Sequence, residues 1–142
     1  MALSNVVKVA RSALEMERAR MELISSNLAN ARTTRTPEGG PYIRRLPVIE
    51  AASVDQSSFS DVLAGMAKGV RVAEVVTDQK PPVMRYEPGH PDANADGYVA
   101  YPNVDPVEEM VDMLSAVRSY EANVNVVKTV AKMNDAAMRI SR

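Results

Sequence analysis

The sequence predicts an α+β protein in which long N- and C-terminal helices pair as an antiparallel coiled coil, with a small β-rich domain in the middle. Three observations predict it. Every glycine and every proline lies between Pro37 and Pro106, so the first and last 36 residues hold neither helix breaker. Glycine costs a helix interior roughly 1 kcal/mol relative to alanine, and proline roughly 3. Each flank also carries an apolar stripe in steps of three and four. The middle instead holds short β-branched runs between turn residues. The expected divisions are 1–36 for the first helix and its exit, 37–102 for the insert, and 103–142 for the second helix.

The first helix is expected from residue 4 to about residue 30. Leu3, Val7, Ala10, Leu14, Met21, Ile24 and Leu28 form a heptad-like stripe that only Glu17 interrupts. Ser4 is a candidate cap for its start. Asn27 and Asn30 stand near its end, where asparagine tolerates a left-handed turn, and residues 32–36 read as the exit.

The insert opens with a strand candidate at 42–49, broken by Pro47. Residues 57–68 suggest a short helix weakened by Gly65. Val70, Val72, Val75 and Val76 mark a second strand, and 83–86 and 98–101 two more. Pro88-Gly89-His90-Pro91 between them is a loop. The last helix has the clearer start: Asp105 is a good cap, Pro106 suits the first helical position, and Glu108 and Glu109 favour the positive end of the dipole. Its stripe runs Met110, Met113, Val117, Tyr120, Val124, Val127, Ala131, Asn134 and Met138. About 35 helical residues span roughly 50 Å, a length that a small domain has difficulty covering alone. Such helices are marginal in isolation, so helicity is expected to be low in the dilute chain and to rise on assembly.

Composition narrows the function. The 142 residues carry a net charge of -1, which offers no bulk attraction to nucleic acid or anionic lipid. The flanks sum to +3 and zero, and the stretch 37–106 to -4. There is no cysteine, hence no disulfide or thiolate metal site. No segment approaches 18 consecutive apolar residues, so no direct membrane span is expected. Residues 3–10 are too polar for a secretory signal core.

Candidate chemistry is sparse. Asp92-Ala-Asn94-Ala-Asp96-Gly97 has the spacing of half a calcium loop. The twelfth position, where that loop needs a bidentate glutamate, is Asn103, and proline and a strand flank it instead of helices. A calcium-binding interaction module on 92–97 is therefore the alternative function, and an acidic turn is the plainer reading. His90 is the single histidine, suited to a loop hydrogen bond. Gly39-Gly40 has no Lys-Ser/Thr behind it to make a phosphate loop, and Arg44-Arg45 reads as a solvated pair. No nucleophile, base and metal set converges, so no enzyme and no cofactor are expected.

Three sets of residues resemble a known family. Ser26-Asn27-Leu28-Ala29-Asn30-Ala31 is similar to the asparagine-rich helix end of bacterial flagellar axial proteins. Ser25-Ser26-Asn27 stands where that family often has Ala-Asn-Asn, and Arg32 where asparagine is common. Thr33-Thr34-Arg35-Thr36-Pro37-Glu38-Gly39-Gly40-Pro41-Tyr42, and Gly89-His90-Pro91-Asp92-Ala93 through Asp96-Gly97-Tyr98-Val99, resemble proximal rod proteins of the FlgC type. Pro102-Asn103-Val104-Asp105, Glu109-Met110 and Arg118-Ser119-Tyr120-Glu121-Ala122-Asn123 resemble their last helix.

The resemblance implies a structural rod subunit that leaves the cell through the flagellar type III export apparatus without a cleaved signal. It implies a place in the periplasmic rod of the basal body. The implied partners are copies of itself, other rod proteins and membrane-ring or rod-base adaptors. The expected assembly interface is Leu14, Met21, Ile24, Asn27, Leu28, Asn30, Met113, Val117, Tyr120, Val124 and Val127. The expected family-specific loop residues are Thr36, Pro37, Gly39, Gly40, Gly89, His90, Pro91, Asp96, Gly97 and Tyr98.

Overall fold

A computed structural model describes residues 2–53 and 68–140, with side chains at 4–53 and 68–139. In chain order the elements are α1 (Ala2–Ala29), β1 (Arg45–Ser53), β2 (Lys68–Thr77), β3 (Val83–Tyr86), β4 (Tyr98–Tyr101) and α2 (Pro106–Ile140). α1 covers the first breaker-free flank up to its exit at residue 30, and α2 covers the described part of the second. The short helix expected at 57–68 lies outside the described residues except for Lys68, which begins β2.

The helix ends follow their local chemistry. Asp105 accepts the Val107 N–H at 2.8 Å, satisfying one of the open donors at the start of α2. Ser4 does not cap α1, because the helix begins two residues earlier and Ser4 stands inside it. Asn30 donates from its side chain to the Ser26 carbonyl at 2.9 Å and accepts from Thr33 Oγ1 at 3.1 Å, tying the helix end to the exit.

Among the described residues the β structure is two separate antiparallel ribbons. In the first, β1 pairs with β2 from Arg45↔Thr77 to Ser53↔Lys68, with a register shift between Val48 and Ile49. Pro47 lies just before that shift, in a strand with one open edge, where a missing N–H is tolerated. This ribbon lies against α1, and the Val70 N–H donates to Ser12 Oγ at 3.2 Å. The second ribbon pairs β3 with β4 from Val83↔Tyr101 to Tyr86↔Tyr98 and packs on no other described element.

The two helices pack along each other. Asn27 meets Glu109, and Arg20 meets Asp112, so α1 descends as α2 ascends and the pair is antiparallel. The core is thin: among the described residues the buried apolar side chains are Ala10, Ile24, Val99, Val104, Ala116 and Val130. The accessible surface is 10198 Å², whereas a compact monomer of this mass exposes about 7,200 Å². Large apolar side chains such as Ile43, Tyr86, Val107, Leu114 and Met138 stay exposed, a surface left for other molecules to cover.

Candidate assembly interface

The seam of α1 falls where its stripe predicts. Ala10, Glu17 and Ile24 are buried in one heptad row, and Val7, Leu14, Met21 and Leu28 are half-buried beside it. Glu17 belongs to the seam it was expected to break. One of its carboxylate oxygens is buried without a hydrogen-bond partner. Arg20 answers the charge, with Nη1 3.8 Å from that oxygen and Nη2 reaching Asp112 across the pair at 3.3 Å.

The seam of α2 is rotated from its predicted stripe. The buried row is Glu109, Ala116 and Val130. Met113, Tyr120, Val124 and Val127 are half-buried next to it. Met110, Val117, Ala131, Asn134 and Met138 are exposed, a correction to the stripe read from the sequence. The physical reason lies in the polar contacts: Glu109 and Asp112, which are outside the stripe, meet Asn27, Arg20 and Arg44, and this turns the row of Glu109, Ala116 and Val130 toward α1.

What remains on the outer side of α2 is a second apolar face. Val107, Met110, Val111, Leu114 and Val117 follow one another in steps of one or three residues and all are exposed, Leu114 at 61% and Val117 at 36%. The outer side of α1 is the opposite in character. Lys8, Arg11, Glu15, Arg18 and Glu22 occupy it, with exposed Arg11–Glu15 and Arg18–Glu22 pairs at 3.1 Å. Water satisfies the α1 face and does not satisfy the α2 face. Contiguous exposed apolar surface of this kind marks an interaction site.

Where helix, ribbon and helix meet, a polar clamp holds them. Asn27 is 1% exposed. Its Oδ1 accepts the Arg45 N–H and the Tyr42 hydroxyl, both at 2.9 Å. Its Nδ2 donates to the Arg45 carbonyl at 2.9 Å and to Glu109 Oε2 at 3.3 Å. Arg44 donates to Glu109 Oε1 at 2.6 Å and stands 3.6 Å from Glu108 and 3.9 Å from Asp112. Burial acts to lower the Arg44 pKa, but the Glu109 charge and hydrogen bond, with help from Glu108 and Asp78, hold it above its ordinary value. Glu109, 1% exposed, is thus fully paired and ties α2 to both α1 and the start of β1.

The loop residues have structural jobs. Gly39, Gly40 and Gly97 take positive φ angles. His90 accepts the Asp92 N–H at Nδ1, 3.1 Å away. Asp92 accepts from Thr34 Oγ1 at 2.8 Å and pairs with Arg35 at 3.8 Å, joining the 88–97 loop to the exit of α1. Asn94 Oδ1 accepts the Asp96 and Tyr98 N–H groups at 3.0 and 2.9 Å. Of the would-be calcium ligands, Asp92 is engaged in an interloop contact and Asn94 in an Asx turn to which Asp96 contributes only its N–H. Among the described residues no cluster of three or more such groups could hold a metal, and no helix is long and apolar enough to cross a membrane. The Tyr101 hydroxyl donates to Glu87 at 3.0 Å, and that bond, with burial and the Glu87 charge, raises its pKa.

The structure brings Asn27 together with Tyr42, Arg44 and Glu109, three residues that sequence reasoning did not select. Glu109 carried a usable signal, since 109, 116, 123 and 130 share one heptad row. Arg44 and Arg45 alternate as strand neighbours do: Arg44 points into the clamp, its side chain 10% exposed, and Arg45 points out.

A pair of end-of-chain helices with one satisfied and one unsatisfied outer face defines a subunit built to join others. Comparison with known proteins gives the class its particular member. A family described as Flagella basal body rod protein matches residues 8–35. Another, Flagellar basal body rod FlgEFG protein C-terminal, matches residues 95–140. The flagellar basal-body rod protein FlgC of Borreliella burgdorferi is 43% identical, covering 99% of this chain and 98% of its own. That of Salmonella typhimurium is 44% identical over 94% and 93%, and that of Bacillus subtilis 40% over 96% of each. The chain belongs to the FlgC family of flagellar basal-body rod proteins.

Proposed function

We propose that the chain is a structural, non-enzymatic subunit of the proximal rod of the bacterial flagellum. The observation that carries this reading is the uncovered apolar face of α2, Val107 to Val117, on a helix whose other side is already occupied by α1. Covering each large apolar side chain contributes about 1.5–3 kcal/mol before association costs are met. Five on one face offer a gross gain of the same order as the cost of association, and neighbouring contacts supply the remainder. Contacts between unlike surfaces that do not close into a ring generate a helix of subunits, the form a rod requires.

In this reading residues 1–36 and 103–142 make the rod core and 37–102 an outer domain. The partners are further copies, other rod proteins, and adaptors at the membrane-ring base. The chain reaches the periplasm through the flagellar type III apparatus without a cleaved signal. Leu14, Met21, Ile24, Leu28, Met113, Tyr120, Val124 and Val127 serve the pairing of the helices, and Val117 serves the contact between subunits. Deletion of the gene followed by electron microscopy of purified basal bodies tests the reading. Loss of everything beyond the membrane ring is expected, and intact rods in the deletion strain would refute it.

A further inference from the structure

Beside the exit of α1 lies a cleft of about 420 Å³ that the assembly face of α2 does not use. Val83, Tyr101, Pro102 and Val104 line it together with Arg32, Arg85 and Asp105. Arg85 lies over the Tyr101 ring at 5.0 Å. Among the described residues neither arginine has a carboxylate within 4 Å, whereas Arg11, Arg18, Arg20, Arg35, Arg44 and Arg71 all do. The two acids nearby are engaged elsewhere: Asp105 caps α2, and Glu87 takes the Tyr101 hydroxyl. The cleft therefore has an apolar floor and two cations with unused donors, which suits a carboxylate on a short, partly apolar segment.

The same chain presents such a segment. The turn at 37–40 is exposed at all four positions, with Glu38 next to Pro37. It is held rigid from below. The Thr36 N–H donates to the Gly40 carbonyl at 2.9 Å, the Gly39 N–H to the Thr36 carbonyl at 3.0 Å, and Thr36 Oγ1 to the Gly39 carbonyl at 3.2 Å. Gly39 and Gly40 take φ values of 91° and 75°, and a Cβ on either would meet no atom within 4 Å. A turn this ordered and this bare gains nothing from its own fold, and it loses little freedom on docking. Among the described residues Glu38 forms no ion pair, as the cleft arginines form none.

We propose that the turn at 37–40 of one copy seats in the Arg32–Arg85 cleft of the next, with Glu38 between the two guanidinium groups. The contact joins unlike surfaces of identical chains, so it propagates along an assembly. It rests on the rod-subunit reading and adds a contact outside the helices.

The test uses the full chain as the only copy in a flagellated strain. Arg85→Glu and Glu38→Arg should each cut the swarming rate at least threefold, and the double swap should restore more than half of it. Single variants that swarm normally, or a double swap no better than the worse single, would overturn the contact. The chain has no cysteine, so Glu38→Cys and Arg85→Cys can be placed together in one chain. A short bismaleimide should then link copies into multimers in purified basal bodies, and neither single variant should do so. Basal bodies that contain the doubly substituted chain but yield no multimers, or link it only to a protein of another mass, overturn the proposal and leave the rod reading standing. Absence of the chain from wild-type basal bodies would remove both.

Discussion

Asn27→Leu removes the centre of the clamp while keeping the same branched side-chain skeleton. Four hydrogen bonds are lost, two to the Arg45 backbone and one each to Tyr42 and Glu109. Two of the stranded groups keep a partner: the Tyr42 hydroxyl has Ser26 Oγ at 3.3 Å, and Glu109 has Arg44. The Arg45 N–H and carbonyl lose the side chain that bonded both. Counting about 1 kcal/mol for each backbone group, and a similar amount for the weakened Glu109, the loss is about 3 kcal/mol. For a chain of this size that lowers the melting midpoint by roughly 12 °C. The assay is thermal unfolding of the purified chain, held at a concentration where far-ultraviolet circular dichroism shows its helices formed. Asn30→Ala is the internal control, since its two contacts are half-exposed and water replaces them, for under about 1 kcal/mol. A midpoint for Asn27→Leu within about 3 °C of the wild type, or equal to that of Asn30→Ala, would refute the clamp.

Two further outcomes follow from the insert. Gly97→Ala should destabilise the chain by about 1–3 kcal/mol in urea unfolding, because φ is +81° and the new Cβ would lie 2.9 Å from the Tyr86 ring and 3.2 Å from Pro88. Gly89→Ala, eight residues earlier in open space, should stay within about 0.5 kcal/mol of the wild type. For Tyr101, the bond to Glu87 exists only while the phenol is protonated, so its folded pKa is raised. The stability it contributes is present below the ordinary tyrosine value of about 10 and is lost as pH rises through the raised value. Glu87→Gln should shift one tyrosine in the near-ultraviolet absorbance titration to lower pH, and an unchanged titration would dissociate Glu87 from the shift.

Much of the architecture was legible because its signals are local. The absence of glycine and proline from both flanks, Asp105-Pro106, and the runs 83–86 and 98–101 each act within a few residues, and each corresponds to an observed element. The α1 stripe was legible for the same reason: its apolar residues stand on one face. The α2 stripe was not, because that helix is apolar on two faces, and periodicity alone does not say which one meets α1. The contacts of Glu109 and Asp112 with Asn27, Arg20 and Arg44 decide it, and those partners lie far away in the sequence. Glu17 and Glu109 were read as interruption and dipole partner because a carboxylate in a seam needs a cation from elsewhere. Arg20 lies three residues from Glu17, but Arg44 lies 65 from Glu109, a pairing that only the folded chain reveals. The middle was expected as one β-rich domain. It forms two separate ribbons, the first leaning on α1 and the second attached through loops, a division that depends on contacts between elements.

The account rests most on the claim that α2 uses one face for its own chain and the other for its neighbours. Leu114→Asp tests it directly, since Leu114 is 61% exposed and makes up the middle of the outer row. Ala116→Asp, at a position with no exposure, is the comparison. The account predicts that Leu114→Asp melts within about 0.5 kcal/mol of the wild type, yet leaves cells non-motile with basal bodies that lack the rod. Ala116→Asp should unfold the chain itself. Full motility and complete rods with Leu114→Asp as the only copy would contradict the account.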